Sequence, residues 1–214
     1  MGYAAHPEIC LDLLLGEDLV KGFVLGNHDH YVISFQEKAD EIRLFVNDYA
    51  FAGIKHACAK MTPDHLAAMS SWPKKLVIED LGLSLSHSSF ADDSFGRYVF
   101  RGSDLDAEEE LNSCPTDLCA IGHTHSPYVY SGDDWFISGD EIPVLGKGVK
   151  TLINVGSVGQ PRDRDPRACY GLLTFGKEVR FQFRRVVYDI DEAARYIKMV
   201  NLLDLCWERL FGGE

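Results

Sequence analysis

The sequence predicts a layered α/β fold. Short apolar runs of strand-like composition end again and again in polar or glycine-rich motifs: Gly26-Asn27-His28-Asp29, Ser86-His87-Ser88, Gly122-His123-Thr124-His125, and Asn154-Val155-Gly156-Ser157-Val158-Gly159-Gln160-Pro161. Segments with apolar residues at helical spacing are mixed among these runs. The second half is the richer in strand-like segments, which argues for two packed sheets with helices outside.

Taken in order, residues 9–15 read as an apolar helix with acids and Gly16 at its end. Residues 21–25 read as a short strand that delivers Gly26-Asn27-His28-Asp29 to its C-terminal end. Across 37–60, Ile42, Phe45, Val46, Tyr49 and Ile54 fall close to helical spacing. Thr62-Pro63 is a helix start, with Thr as N-cap and Pro in the first helical position. That helix stops before Trp72-Pro73. Strands at 75–79 and 81–86 turn near Asp80, and the second ends at His87. A short helix covers 108–111. Residues 118–121 form a buried strand ending at Gly122, and 150–155 another that ends in the glycine-rich turn. Residues 169–175 and 179–187 flank Gly176-Lys177 as a β-hairpin. Asp191 caps a helix running to Met199, and a last helix spans about 202–211, stopped by Gly212-Gly213. No repeat or low-complexity linker interrupts the chain, so 1–214 reads as one domain.

The composition is that of a globular protein with a sizeable core: 214 residues, 46% hydrophobic and 25% charged. A net charge of −12 argues against a nucleic-acid-binding surface, which needs clustered Lys and Arg. It leaves room for a phosphorylated substrate, because bound cations invert the local field. The six cysteines, Cys10, Cys58, Cys114, Cys119, Cys169 and Cys206, are scattered without a CxxC pair and read as reduced, mostly buried thiols. No apolar stretch is long enough for a bilayer, so no membrane partner is expected. The first residues lack the basic and apolar regions of a secretory leader, which makes the cytoplasm the expected location.

Asn27, His87, His123 and His125 together offer one amide oxygen and three imidazoles. Such a donor set suits Mn, Fe, Co, Ni or Zn and is too rich in nitrogen for Mg or Ca alone. On an extended segment His123 and His125 would point to opposite faces, so a modest bend lets two neighbouring metals each take one. Each motif also has an ordinary reading: Gly26-Asn27 as a turn, His87 as a hydrogen-bonded residue at a strand end. His6, His30, His56 and His65 belong to no motif and read as surface or core histidines.

In this order, the motifs resemble the calcineurin-like metallophosphoesterases, two-metal phosphoester hydrolases. Within them the chain resembles the small prokaryotic-type group similar to diadenosine tetraphosphatases and Ser/Thr protein phosphatases. The resemblance implies a four-layer-type β-sandwich flanked by helices, with the metal site at the strand ends. It implies two divalent transition metal ions. Asn27, His87 and His123 would be ligands of the second ion, and His125 of the first. His28, beside a ligand, would protonate the leaving oxygen as general acid, with Asp29 orienting it. Metal-activated water would attack in line, without a covalent intermediate. The segment from Gly156 to Arg162 matches the family's GSVGQPR turn. It has two readings: the turn only supports the two-histidine loop, or Arg162 helps hold a substrate phosphate.

The family opens with an Asp-x-His strand and a Gly-Asp strand whose Asp bridges both metals. Asp-x-His does not occur in these 214 residues. Gly132-Asp133 and Gly139-Asp140 follow the two-histidine motif and read as loop residues of an insertion. The opening Gly2-Tyr3-Ala4-Ala5-His6-Pro7 resembles the segment just after the bridging Asp. The resemblance therefore implies upstream strands and a helix that this chain lacks, and a start at an internal methionine of a longer protein or a shortened gene product. Weak metal binding, little catalysis and exposed sheet edges would follow, with a tendency to aggregate or form a homo-oligomer. Ser88 stands where the family usually has Gly. The expected function is phosphatase or phosphodiesterase action on a small phosphorylated substrate. The alternative is a catalytically impaired remnant serving as a protein-interaction scaffold, against which the retained His28 argues. Specificity is expected from loops at 102–106 and 131–143.

Overall fold

A computed structural model describes residues 2–132, 134–137, 142–145 and 148–214, with only the backbone of 143–145. Asp133, Gly139 and Asp140, expected as loop residues, lie outside the described residues. The chain forms two compact units, Met1–Pro73 with Asp189–Gly212, and Lys74–Tyr188 with Gly213–Glu214.

The first unit is helical: α1 (Pro7–Gly16), α2 (Asn27–Phe45), α3 (Asp48–Lys60), α4 (Pro63–Ser70), α6 (Ile190–Met199) and α7 (Leu205–Gly212). Leu11, Val32, Ile42, Ile54, Ala57, Met61 and Met69 make one core. Ala5, Ile197, Leu202, Cys206 and Leu210 make a second. The periodic stretch 37–60 is two helices rather than one. Val46 and Asn47 are extended, and the Asn47 side chain accepts the Ala50 N–H at 3.0 Å. Asn is a strong N-cap, and here it restarts the helix in the middle of a continuous apolar pattern. Thr62 caps α4 as expected, accepting from the His65 N–H at 3.2 Å. His65 completes that cap with its own ring and reaches Asp12 at 2.8 Å, so it is a structural histidine. The cap of α6 is Asp189 and not Asp191: its carboxylate accepts the Glu192 N–H at 2.8 Å.

Residues 21–25 form no strand. The Leu25 N–H goes to the Pro73 carbonyl at 2.8 Å and Phe23 stacks on Trp72 at 4.5 Å, and no described strand lies alongside. An apolar run becomes a strand only where a neighbour supplies the ladder.

The second unit is a two-sheet sandwich. One sheet has the order β1 (Lys75–Ile78), β2 (Leu83–Ser86), β3 (Leu118–Ile121), β7 (Thr151–Asn154), β4 (Tyr128–Ser131), β5 (Asp134–Phe136). The other has β6 (Ile142–Leu145), β9 (Val179–Val186), β8 (Ala168–Thr174). Strands β2, β3 and β7 are parallel. Alternation along β3 divides the core in two. Cys119 and Ile121, with Leu152, Tyr128 and Tyr130, pack with Ala107 and Leu111 of helix α5 (Asp104–Ser113). Leu118 and Ala120, with Val129 and Ile153, pack with Ile142 and Phe181 of the other sheet. Strands covered on both faces read as unbroken apolar runs, which is why β3 was legible. Strands β4, β5 and β6 were not expected as strands; each has only three or four residues, too few to show a period. The observed hairpin β8–β9 matches its expectation closely.

Cys114 and Cys119 are joined as a disulfide, their Cα atoms 6.3 Å apart, which corrects the expectation of six reduced thiols. The short return from α5 into β3 brings them within bonding range. The other four cysteines are free. No described helix is long and apolar enough to cross a membrane.

Candidate functional site

Three parallel strands place their C-terminal ends side by side, which in an open sheet is where ligand-binding loops gather. Residue His87 leaves β2, the 122–125 loop leaves β3, and Asn154 ends β7. The Gly122 N–H donates to the His87 carbonyl at 2.9 Å, and Val155 N–H to Ile121 at 3.1 Å. The three motifs are thus stitched by backbone bonds before any side chain acts.

His123 and His125 both have positive φ, 63° and 61°. Such backbone is uncommon outside glycine and costs on the order of 1 kcal/mol or more per residue. Asn154 holds it in place. Its fully buried amide donates to the Gly122 carbonyl at 2.7 Å and to Thr124 Oγ1 at 2.9 Å, and its oxygen accepts the Gly156 N–H at 3.1 Å. One side chain therefore ties the two-histidine loop to the glycine-rich turn. Gly156 has φ 78°, and a Cβ there would press on Cys169 Sγ at 3.0 Å.

The imidazoles of His87 and His123 meet edge to face, with His87 Nε2 3.2 Å from His123 Nδ1. That spacing fits a hydrogen bond, and also two ligands of one ion, each about 2.0–2.1 Å from the metal. The other nitrogen of His123, Nε2, is buried and has no hydrogen-bond partner among the described residues. Tyr98 stacks on the same ring at 3.9 Å. Burial first, and then the charges of His87, His125 and Arg162, push the His123 pKa down to about 3, so the ring is neutral at physiological pH, as a metal ligand must be.

His125 Nδ1 lies 2.7 Å from the Gln160 carbonyl. A carbonyl only accepts, so Nδ1 carries a proton, and in the neutral ring Nε2 holds the lone pair. Gln160 Oε1 in turn accepts from Arg162 Nη2 at 2.8 Å, and the Arg162 N–H donates to the His125 carbonyl at 3.0 Å. These bonds brace the two-histidine loop through the GSVGQPR turn, which is compatible with either reading of Arg162.

A buried carboxylate braces the His87 loop. Glu110, fully buried on α5, accepts from Ser89 Oγ and the Phe90 N–H, with Arg97 Nε 3.3 Å away. Glu110, Asn154 and Tyr98 were not candidate residues from the sequence. Each acts through a partner far along the chain; only the Asn-Val-Gly run at 154–156 hinted at one of them.

Asn27, His28 and Asp29 lie in the first unit, at the start of α2. Asp29 Oδ2 accepts the Gly26 N–H at 3.0 Å, closing a cap on the helix. The His28 ring packs against Tyr3, centroids 4.4 Å apart, and against Gly2, where a methyl group would collide with it. The structure thus gathers His87, His123, His125 and Arg162 in one unit and Asn27, His28 and Asp29 in the other. Among the described residues, no three His, Cys, Asp or Glu side chains converge as a complete ion-binding group. The orphaned nitrogen of His123, its neutrality and the fixed tautomer of His125 nevertheless fit a transition-metal ligand set.

No family model matches the chain. The uncharacterized protein MJ0912 of Methanocaldococcus jannaschii is 31% identical over 218 residues, an overlap of 100% of this chain and 84% of that protein. The crystal structure of a metallophosphoesterase from Sphaerobacter thermophilus superposes with a TM-score of 0.80 at 25% identity, covering 100% of this chain and 85% of the other. The hypothetical protein PH1004 from Pyrococcus horikoshii OT3 superposes at 0.76 with 16% identity, covering 100% and 82%, and shares the fold.

Proposed function

The chain belongs to the calcineurin-like metallophosphoesterase superfamily, and from that membership we propose that it hydrolyses phosphoesters of a small substrate with the help of two divalent transition metal ions. The observation that carries the proposal is the placing of three imidazoles at the ends of parallel strands, with His87 beside a neutral His123 and with His125 on the same loop as His123. His87, His123 and His125 are the proposed ligands in the second unit, and Asn27 the proposed ligand in the first. When bound, such ions supply a nucleophilic water at neutral pH and neutralise phosphoryl oxygens.

The chain's own groups do the rest. His28, with Asp29 capping the helix turn beneath it, is the proposed proton donor to the leaving oxygen. The Gln160 carbonyl fixes the His125 tautomer, and Asn154 fixes the loop. Arg162 is the proposed phosphate-holding cation, a role its planar fork suits.

The test is hydrolysis of p-nitrophenyl phosphate and its bis ester with and without added Mn²⁺. Turnover that appears with Mn²⁺ and disappears with a chelator is expected. His28→Ala should cost about 10²–10⁴-fold on an ester with a poor leaving group and less on p-nitrophenyl esters, which need no acid. A second reading, an interaction scaffold, is favoured by the lack of a converged three-residue ligand group among the described residues. Metal-independent inertness toward both esters would support it.

A further inference from the structure

We infer that the Tyr98–Phe100 segment and the cavity beside it form a subsite for a planar ring, so that the substrate is a phosphoester whose alcohol carries an aromatic group, aryl or nucleoside. The inference rests on the phosphoesterase reading and deepens it.

Exposure alternates along the segment, as where successive side chains point to opposite faces. Val99 points inward and is 1% exposed; Tyr98 and Phe100 point outward, 43% and 58% exposed. Their rings stack at 5.7 Å with only 7° between planes. The inner face of Tyr98 lies on His123. The result is a ladder of rings from a proposed metal ligand outward to Phe100. The ladder is anchored: Tyr128 Oη donates to the Val99 carbonyl at 2.7 Å, and Trp135 packs on Tyr128 at 5.3 Å. Large exposed rings held rigid in this way expose apolar area that a binding partner would cover.

Phe100 also lines a cavity of about 380 Å³, together with Arg101, Ser126, Tyr128, Ile137 and Arg162. That volume lies in the range of about 300–1,000 Å³ common for small-molecule sites. Ser126 follows His125 directly, and its hydroxyl donates to the Arg162 carbonyl at 3.1 Å, so the cavity adjoins the histidine loop. Its carboxylate, Asp163, is engaged by Arg185. Arg101 is exposed and pairs with no described residue. Two guanidiniums at one cavity, in a chain of net charge −12, mark a local positive field suited to an anion. Rings and guanidiniums together select a group that is both flat and anionic.

Binding of phenylphosphonate and methylphosphonate, neither of which can be hydrolysed, tests this by NMR titration. Phenylphosphonate should bind at least tenfold more tightly. Phe100→Ala should reduce that ratio to within twofold while leaving methylphosphonate affinity unchanged, and Phe100→Tyr should retain it. Arg101→Gln should weaken both ligands several-fold. Equal affinity for the two, no binding of either, or a ring preference that survives Phe100→Ala would overturn the subsite. Turnover of p-nitrophenyl phosphate with Mn²⁺, measured in parallel, separates the two claims, the ring preference being read from the phosphonate affinities alone. Turnover without ring preference would overturn the subsite alone, whereas ring preference without turnover would uphold the subsite and count against the phosphoesterase reading.

Discussion

The Nδ1–H of His125 donates to the main-chain carbonyl of Gln160 at 2.7 Å, thirty-five positions along the chain. This bond chooses the tautomer and therefore which nitrogen can bind an ion. Long-range ¹H–¹⁵N spectra of the imidazoles check it: His125 should be the Nδ1–H tautomer at neutral pH. The Nε2–H tautomer would contradict the assignment.

Asn154 should be the residue on which the histidine loop depends most. Asn154→Ala removes two donated bonds and one accepted bond in a fully buried place. Unsatisfied buried groups cost about 1–3 kcal/mol each, partly offset by relaxation, so a loss of about 2–3 kcal/mol in urea unfolding is expected. Activity should fall about 10–100-fold, the effect expected of a residue that orients the proposed metal ligands.

Gly156→Ala meets two obstacles at once, positive φ and close approach to Cys169 Sγ, Cys169 Cβ and Pro127 Cβ. A destabilisation of about 1–3 kcal/mol is expected. Cys169→Ala in the same chain removes only the sulfur and should restore part of the loss. Full restoration would show that the backbone carries no strain.

Glu110 should be costly to remove. Glu110→Ala leaves Ser89 and the Phe90 N–H without their acceptor, while Arg97 keeps Asp106 and Glu109. Buried donors left unsatisfied in this way cost about 1–3 kcal/mol each. The His87 loop should lose order with it, read as faster amide exchange at Phe90 than in the wild type.

Acid should weaken the second unit partly through Asp165. Hydrogen bonds from the Arg167 side chain, chiefly, hold its pKa at about 2, below the ordinary 3.8. The folded state thus binds the proton less readily than the unfolded chain. The stabilisation is full above the ordinary carboxylate value and is lost as pH falls from there toward 2. Asp165→Asn should flatten that limb of the stability curve and leave pH 6–8 unaffected in slope.

The sequence exposed the parts of the fold and site that are local. Strand 118–121 showed as an apolar run because both faces are covered, and the hairpin 169–187 because Gly176-Lys177 marks its turn. Gly122-His123-Thr124-His125 was readable because its residue types are rare together. What was hidden depends on distant partners. The break at Asn47 lies inside an apolar pattern that runs straight through it. The positive φ of both histidines is held by Asn154, twenty-nine positions after His125. Tyr98 matters because it lies on His123, and Glu110 because it reaches back to Ser89. Residues 21–25 had a strand's composition without a described strand to pair with.

The most direct test of the central claim is to measure bound Mn²⁺ and the turnover of bis-p-nitrophenyl phosphate on the same samples of the wild type and His123→Ala, with circular dichroism confirming that both are folded. Metal-dependent turnover in the wild type, and a joint loss of bound metal and turnover of about 10²-fold in the variant, is the predicted result. Equal metal content and equal turnover in the two proteins would contradict it.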